Sequence, residues 1–160
     1  MKLIKEGLEL IKHFEGYRGK PYKCPAGYLT IGYGHVIKSG ENLSFLTEPE
    51  AEALLLSDIV EFSQGINKLI KAEINDNLYS ACISLSYNIG LGAFARSTLL
   101  KNINNNKPIL QKNFTDWCKI KGNKSIGLII RRICEYQLAT TGKWERNINK
   151  NNYKEYLIDV

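Results

Sequence analysis

The sequence lacks several features that would assign it to other classes of protein. Its four cysteines include no CxxC pair, which argues against both a zinc site and a disulfide framework. No apolar run approaches the roughly 18 residues that a transmembrane helix requires, so stable membrane insertion is not expected. Charged residues interrupt the N-terminal segment MKLIKEGLELIKHF, which therefore lacks the apolar core of a signal peptide and predicts synthesis in the cytosol.

Nucleic-acid binding also has little support. The lysines are scattered, and neither a recognised nucleic-acid motif nor interleaved arginines and aromatic residues are present. The chain nevertheless carries a formal charge of +6 with a pI near 9.1. That charge favours an anionic partner, but by itself it does not separate a nucleic acid from a cell wall or a membrane surface.

The 160 residues have an ordinary globular composition, with 44% hydrophobic and 24% charged residues. Apolar spacing predicts a helix over 2–14 that ends at Gly16 and Gly19, followed by a small antiparallel meander carrying Cys24 and Thr30 on its strands. A capping box at Thr47 predicts a second, long helix. Further helices are predicted over residues 76–89, capped by Asp76, and within FARSTLLKNI, PILQKNFTDWC and SIGLIIRRICEYQLATT. The fold class is α+β, and the other three cysteines are expected in the core.

One short stretch carries a candidate for chemistry. Glu15, Cys24 and Thr30 follow the spacing E-x8-C-x5-T, which places a carboxylate at a helix end and two polar groups on chain that folds back beside it. A carboxylic acid sheltered by apolar neighbours has a raised pKa and can protonate a leaving oxygen. The threonine hydroxyl can hold a water, and the cysteine can orient or deprotonate that water or attack as a thiolate. Taken singly, each residue also suits a plain structural role.

The same stretch resembles the phage-type lysozymes, glycoside hydrolase family 24. The family motif is E-x8-(D/C)-x5-T with a run such as TIGYGH, which here occupies residues 30–35. The resemblance continues in SLSYNIGLGAFARSTLL (84–100), GLIIRRICEYQL (127–138) and TTGKW (140–144), and so covers nearly the whole chain.

The resemblance implies an endolysin that hydrolyses the β-1,4 bond between N-acetylmuramic acid and N-acetylglucosamine in peptidoglycan. It implies one catalytic domain over 1–160 with a lysozyme-like fold: a small β lobe at about 15–45, a larger helical lobe at about 47–160 that includes the N-terminal helix, and a cleft between them. It implies no cofactor and no metal. The expected partner is bacterial peptidoglycan, met by a monomer that a holin pore releases from the host cytoplasm to the periplasm.

The family motif also implies roles for individual residues. Glu15 would be the general acid and Thr30 would position water, while Cys24 stands where the family more often has Asp. A thiol of ordinary pKa, about 8.5, is mostly neutral at neutral pH and is a poor base, which leaves the inverting or retaining outcome open. Residues implied to line the sugar subsites or to face the acid are Val36, Tyr87, Asn88, Ser97 and Arg131.

The sequence also gives expectations for two further residues and leaves two rival functions open. Arg132 is expected to be solvated, and His35 is expected to be a structural histidine bonded to backbone or to an acid. A lytic transglycosylase, which needs an acid but no water nucleophile, is the first rival. A non-catalytic binding module is the second.

Overall fold

The computed structural model describes residues 1–158, which form a mixed α+β fold. The chain forms two compact units, one of Ile11–Glu61 and one of Met1–Leu10 together with the chain from Phe62 onward. The elements in chain order are α1 (Lys5–Glu15), β1 (Arg18–Lys23), β2 (Leu29–Gly32), β3 (His35–Val36), α2 (Glu48–Leu69), α3 (Asp76–Ile89), α4 (Leu91–Ala95), α5 (Thr98–Asn104), α6 (Gln111–Thr115), β4 (Lys119–Ile120), β5 (Asn123–Lys124), α7 (Ile126–Thr141) and a final 3₁₀ turn (Tyr153–Tyr156).

Helix α1 is displaced towards the C-terminus from its predicted range of 2–14. It begins later because the first residues extend along α3, where the Lys2 amide donates to Asp76 Oδ1 at 2.9 Å and the Ile4 amide to Ser80 Oγ at 3.0 Å. It ends at Glu15 because Gly16 takes a φ of +70°, and its amide donates to the Lys12 carbonyl at 3.0 Å. The candidate acid Glu15 is therefore the last residue of the helix.

The predicted meander is confirmed as a three-stranded antiparallel sheet in the order β1-β2-β3. Its register pairs Tyr22 with Thr30, and Thr30 with Val36. Cys24 is not on a strand as predicted, because it opens the tight turn that joins β1 to β2. Its amide donates to the Tyr28 carbonyl at 2.9 Å, and the Gly27 amide, with Gly27 at φ +89°, donates back to the Cys24 carbonyl at 2.8 Å.

Helix α2 begins at the predicted capping box. Glu50 Oε2 accepts from both the amide and the hydroxyl of Thr47, each at 2.7 Å, so the carboxylate satisfies an amide that no helical carbonyl can reach. The buried face of the helix includes Leu55, Ile59 and Ile66, which recur at helical spacing.

Helix α3 forms the centre of the helical unit, with every residue from Tyr79 to Ser86 buried, and α7 packs against it. The prediction that Asp76 caps this helix is wrong. Asn75 is the cap, since its Oδ1 accepts from the Leu78 amide at 2.9 Å and its backbone is extended. Asp76 is the first helical residue, and Gly90 ends the helix as predicted.

Two other features of this unit were not predicted in detail. The segment 94–103 forms two helices, because Ser97 turns to an extended backbone and caps α5 by accepting from the Leu100 amide. Strands β4 and β5 form a small exposed hairpin that the sequence pattern did not indicate. Within residues 1–158, no helix combines the length and apolar character needed to cross a membrane.

Candidate active site

The candidate acid, Glu15, is the last residue of α1 and is partly buried. A helix C-terminus carries partial negative charge, so it is an unfavourable place for an anionic side chain. A local arrangement that opposes good helix design is typical of functional positions. The location supports the sequence-based choice of this carboxyl group for proton transfer, and its role stays a prediction.

The Cys24 thiol lies in the turn between β1 and β2 and is surrounded by hydrogen-bond donors. Partial burial works to raise the pKa of this thiol, but hydrogen bonds from the amides of Tyr28, Ala26 and Gly27 and from the Thr30 hydroxyl together outweigh it and lower the pKa. The ionised form of Cys24 is therefore more favoured than the sequence alone suggested. The expectation of a thiol with ordinary pKa is wrong, because the turn directs donors at the sulfur.

Thr30 is the buried member of this group, at 2% exposed, and its hydroxyl lies 3.0 Å from the Tyr28 carbonyl. A hydroxyl has one hydrogen to donate, so bonding to the Tyr28 carbonyl and bonding to the Cys24 sulfur compete. When the sulfur is ionised, the charged acceptor is favoured. The hydroxyl of Thr30 is thus coupled to the protonation state of Cys24.

Tyr22 is a neighbour of the site that the sequence analysis treated only as a strand residue. Burial raises the pKa of its phenol, Arg18 opposes the rise, and the negative charges of Glu15 and Cys24 both add to it. The Arg18 guanidinium lies 4.3 Å from the ring centroid of Tyr22. One phenol therefore lies within electrostatic range of both Glu15 and Cys24, and it stands opposite Thr30 in the sheet.

His35 is a structural residue, as predicted. Its Nδ1 lies 2.9 Å from Asp58 Oδ2 and its Nε2 lies 2.9 Å from Glu41 Oε2, and its ring is buried. Burial works to lower the pKa of His35, but the two carboxylates outweigh it and raise the pKa. The imidazole joins β3 to α2 and to the loop at Glu41, so both of its ring nitrogens are used by carboxylates and not by Cys24.

The remaining predicted site residues are divided between the two units. Val36 is exposed at the end of the sheet, in the same unit as the three candidate catalytic residues. In the helical unit, the Tyr87 ring packs on Phe62 with centroids 5.3 Å apart. Ser97 is 4% exposed, and its hydroxyl caps α5 by accepting from the Leu100 amide. That Val36, Tyr87 and Ser97 bind sugar stays a prediction.

The prediction that Arg132 is solvated is wrong. Arg132 and Glu135 are both fully buried, and Arg132 Nη1 donates to Glu135 Oε2 at 2.6 Å. Arg131 is 3% exposed, and its Nε donates to the other oxygen of Glu135 at 3.1 Å. The pattern RRxxE turns both arginines onto one buried carboxylate, because residues three and four apart share a helix face. The structure gives no metal-binding group of three or more His, Cys, Asp or Glu side chains among residues 1–158.

Taken together, a small antiparallel sheet follows a helix that ends in a carboxyl group, and a mostly helical unit accompanies it. This arrangement defines a lysozyme-like α+β protein. The sequence profile described as "Phage lysozyme" matches residues 12–135. The chain belongs to the phage lysozyme family.

Relatives of known name and structure agree with that assignment. The chain is 40% identical to the endolysin of Acyrthosiphon pisum secondary endosymbiont phage 1, over 86% of this chain and 97% of that protein. It is 38% identical to the endolysin of Bacillus phage B103 over 96% of this chain, and it spans only 59% of that longer protein. Among solved structures, the endolysin from Escherichia coli O157:H7 phage FAHEc1 superposes with a TM-score of 0.80 at 33% identity, covering 91% of this chain and 98% of that one.

Proposed function

We propose that this protein is an endolysin with muramidase activity. Its substrate is bacterial peptidoglycan, its reaction is hydrolysis of the β-1,4 bond between N-acetylmuramic acid and N-acetylglucosamine, and its role is lysis of the host at phage release. Family membership and the endolysin relatives support this proposal. The observation that carries the chemistry is the pairing of Glu15 at a helix end with a Cys24 thiol of lowered pKa beside Thr30.

In the proposed reaction, Glu15 is protonated at the start and gives its proton to the glycosidic oxygen. The bond between that oxygen and C1 of the muramic acid then breaks, and positive charge develops on the sugar ring. A water held by the Thr30 hydroxyl adds to C1. The Cys24 thiolate accepts the proton that the water loses, so it supplies the base that the family more often takes from Asp.

A direct attack of the thiolate on C1 is the alternative use of the same group. It would form a covalent sugar–sulfur intermediate and lead to retention of configuration, whereas the water route leads to inversion. We favour the water route because Thr30 is buried beside the sulfur, where its hydroxyl can hold a water. Analysis of the anomer first released from a soluble glycan separates the two.

The excess positive charge supports attraction to an anionic cell wall. We propose that the enzyme acts as a monomer, without a cofactor or a nucleic-acid partner. It would be made in the host cytoplasm and reach the periplasm through a holin-dependent pore.

A zymogram on purified cell walls, followed by product analysis, tests the proposal. Hydrolysis gives a reducing muramic acid end, and this is the result we expect. A 1,6-anhydro end would instead indicate a lytic transglycosylase. Binding to the wall without clearing would indicate a non-catalytic binding protein and would contradict the proposed reaction.

A further inference from the structure

The β4–β5 hairpin is an exposed ribbon that carries three lysines in the six residues KIKGNK (119–124). Its register pairs Lys119 with Lys124 across the two strands. All six residues are exposed, so neither face of the ribbon is covered by the rest of the described chain. The sequence has no Asp or Glu over 117–134, and within residues 1–158 none of the three lysines forms an ion pair. The hairpin therefore concentrates positive charge at one exposed place.

The two acidic residues that flank the hairpin in the sequence have other partners. Asp116 Oδ1 accepts from Lys112 Nζ at 2.6 Å. Glu135 is fully buried, and its two oxygens accept from Arg131 and Arg132. Because these carboxylates are already used, the charge of the hairpin is available to an anionic partner outside the chain.

Two local features of the hairpin reduce its stability. Like charges that stand directly opposite each other in an antiparallel pair repel, and Lys119 stands opposite Lys124. The two-residue turn has a positive φ at both positions, +49° at Lys121 and +85° at Gly122. Such a turn favours Asn, Asp or Gly at its first position, because other L side chains are strained there. Lysines at these positions oppose good hairpin design, which is typical of residues kept for a function.

Two exposed isoleucines accompany the lysines on a hairpin whose base is fixed. Ile120 lies on β4 and is 56% exposed, and Ile126 begins α7 and is 45% exposed. At the base, the Ser125 amide donates to the carbonyl of buried Cys118 at 2.8 Å. Ser125 Oγ also accepts from the Leu128 amide at 3.4 Å, which ties the hairpin to α7. The ribbon therefore presents charge and apolar surface together from a fixed base.

We propose that the hairpin and Ile126 dock this protein peripherally on a bilayer surface that contains anionic phospholipid. The lysines meet the headgroup phosphates, while their alkyl chains and the two isoleucines reach the apolar boundary beneath the headgroups. A soluble polyanion offers charge but no apolar layer, so it accounts for the lysines and not for the isoleucines. Peripheral docking needs no membrane-spanning helix, and residues 1–158 contain none. The inference goes beyond the proposed function, because binding to lipid requires no hydrolysis.

Co-sedimentation of the chain with lipid vesicles tests the docking. We expect the wild type to bind vesicles of phosphatidylglycerol mixed with phosphatidylcholine and to bind phosphatidylcholine alone far more weakly. A lysine near an anionic membrane contributes about fivefold to partitioning, so the hairpin triple variant, with Gln at Lys119, Lys121 and Lys124, should bind the mixed vesicles about a hundredfold more weakly. Wild-type affinity in that variant would overturn the inference.

The matched control variant carries Gln at Lys101, Lys107 and Lys150, three exposed lysines of the same unit. Both triple variants remove three positive charges from the net +6 of the wild type, so they differ only in where the charge is lost. The control variant should bind the mixed vesicles nearly as well as the wild type does. Equal losses of affinity in the two variants would show that net charge drives binding, and would overturn the assignment to the hairpin.

Ile120→Ser separates a lipid surface from a soluble polyanion, since it removes apolar area without changing the charge. We expect about tenfold weaker binding to the mixed vesicles and unchanged binding to polyglutamate, used as the soluble polyanion. Wild-type affinity of Ile120→Ser for the vesicles would overturn the assignment to lipid. On purified walls free of lipid, the hairpin and control triple variants should release reducing ends at equal rates. A slower hairpin variant would instead assign the hairpin to a wall polymer and would likewise overturn the inference.

Discussion

Replacing Glu135 with Gln should destabilise the helical unit strongly. The carboxylate accepts hydrogen bonds from Arg132, Arg131 and Ser84 and is fully buried. Glutamine has nearly the same shape, but it removes the negative charge and turns an NH₂ group towards at least one of these donors. Removing one partner of a buried ion pair costs about 3–5 kcal/mol, because the remaining charge loses its compensation in a medium of low dielectric constant.

That cost translates into a measurable change in thermal stability. For a chain of this size, 1 kcal/mol shifts Tm by about 2–4 °C, so Glu135→Gln should lower Tm by roughly 6–20 °C. Thermal unfolding followed by circular dichroism measures the shift. Glu73→Gln, an identical change at an exposed position, is the control and should leave Tm almost unchanged. A decrease of less than about 2 °C in Glu135→Gln would refute the view that this carboxylate holds two buried arginines.

The remaining predictions concern Cys24 and the surface charge. Alkylation of Cys24 should have its pH midpoint below that of a free thiol, because turn amides and Thr30 stabilise the thiolate, and Thr30→Val should move the midpoint upwards. An unshifted midpoint in Thr30→Val would show that the Thr30 hydroxyl does not stabilise the Cys24 thiolate. Cys82 and Cys134, whose pKa values burial raises, should stay unmodified at neutral pH. In lysis assays, Cys24→Ser should lose at least about tenfold in rate and Cys24→Asp should stay active, whereas wild-type rates in Cys24→Ser and Cys24→Ala would mean that this cysteine only packs. Lysis should decline between low salt and about 0.5 M, because salt screens attraction to the wall, and a rate indifferent to salt would exclude that attraction.

Much of the fold follows from patterns that act over short distances along the chain. The capping box at Thr47 and the glycines after α1, α3 and α7 mark helix ends. The capping box gives a partner to a free amide at the start of α2, and each glycine ends the series of helical hydrogen bonds before it. The start of α1 could not be predicted in the same way. It depends on hydrogen bonds from Lys2 and Ile4 to residues of α3 that lie 74 and 76 positions further along the sequence.

The candidate site shows the same division. The E-x8-C-x5-T spacing indicated which residues to examine, but the lowered pKa of Cys24 depends on amides that converge only when the turn has formed. The burial of Arg132 was missed because an arginine next to another arginine usually favours a solvated face. A Glu three residues after Arg132 and four after Arg131 was the available signal, since that spacing places all three side chains together on one helix.

Hydrolysis of purified peptidoglycan by Glu15→Gln, compared with the wild type, tests the central claim most directly. The substitution keeps the size of the side chain and removes its ability to donate the proton that the leaving oxygen needs. We expect the rate of release of reducing ends to fall by about a hundredfold or more, with Tm and the circular dichroism spectrum preserved and with Glu73→Gln as active as the wild type. A Glu15→Gln enzyme that releases reducing ends at close to the wild-type rate would contradict the account.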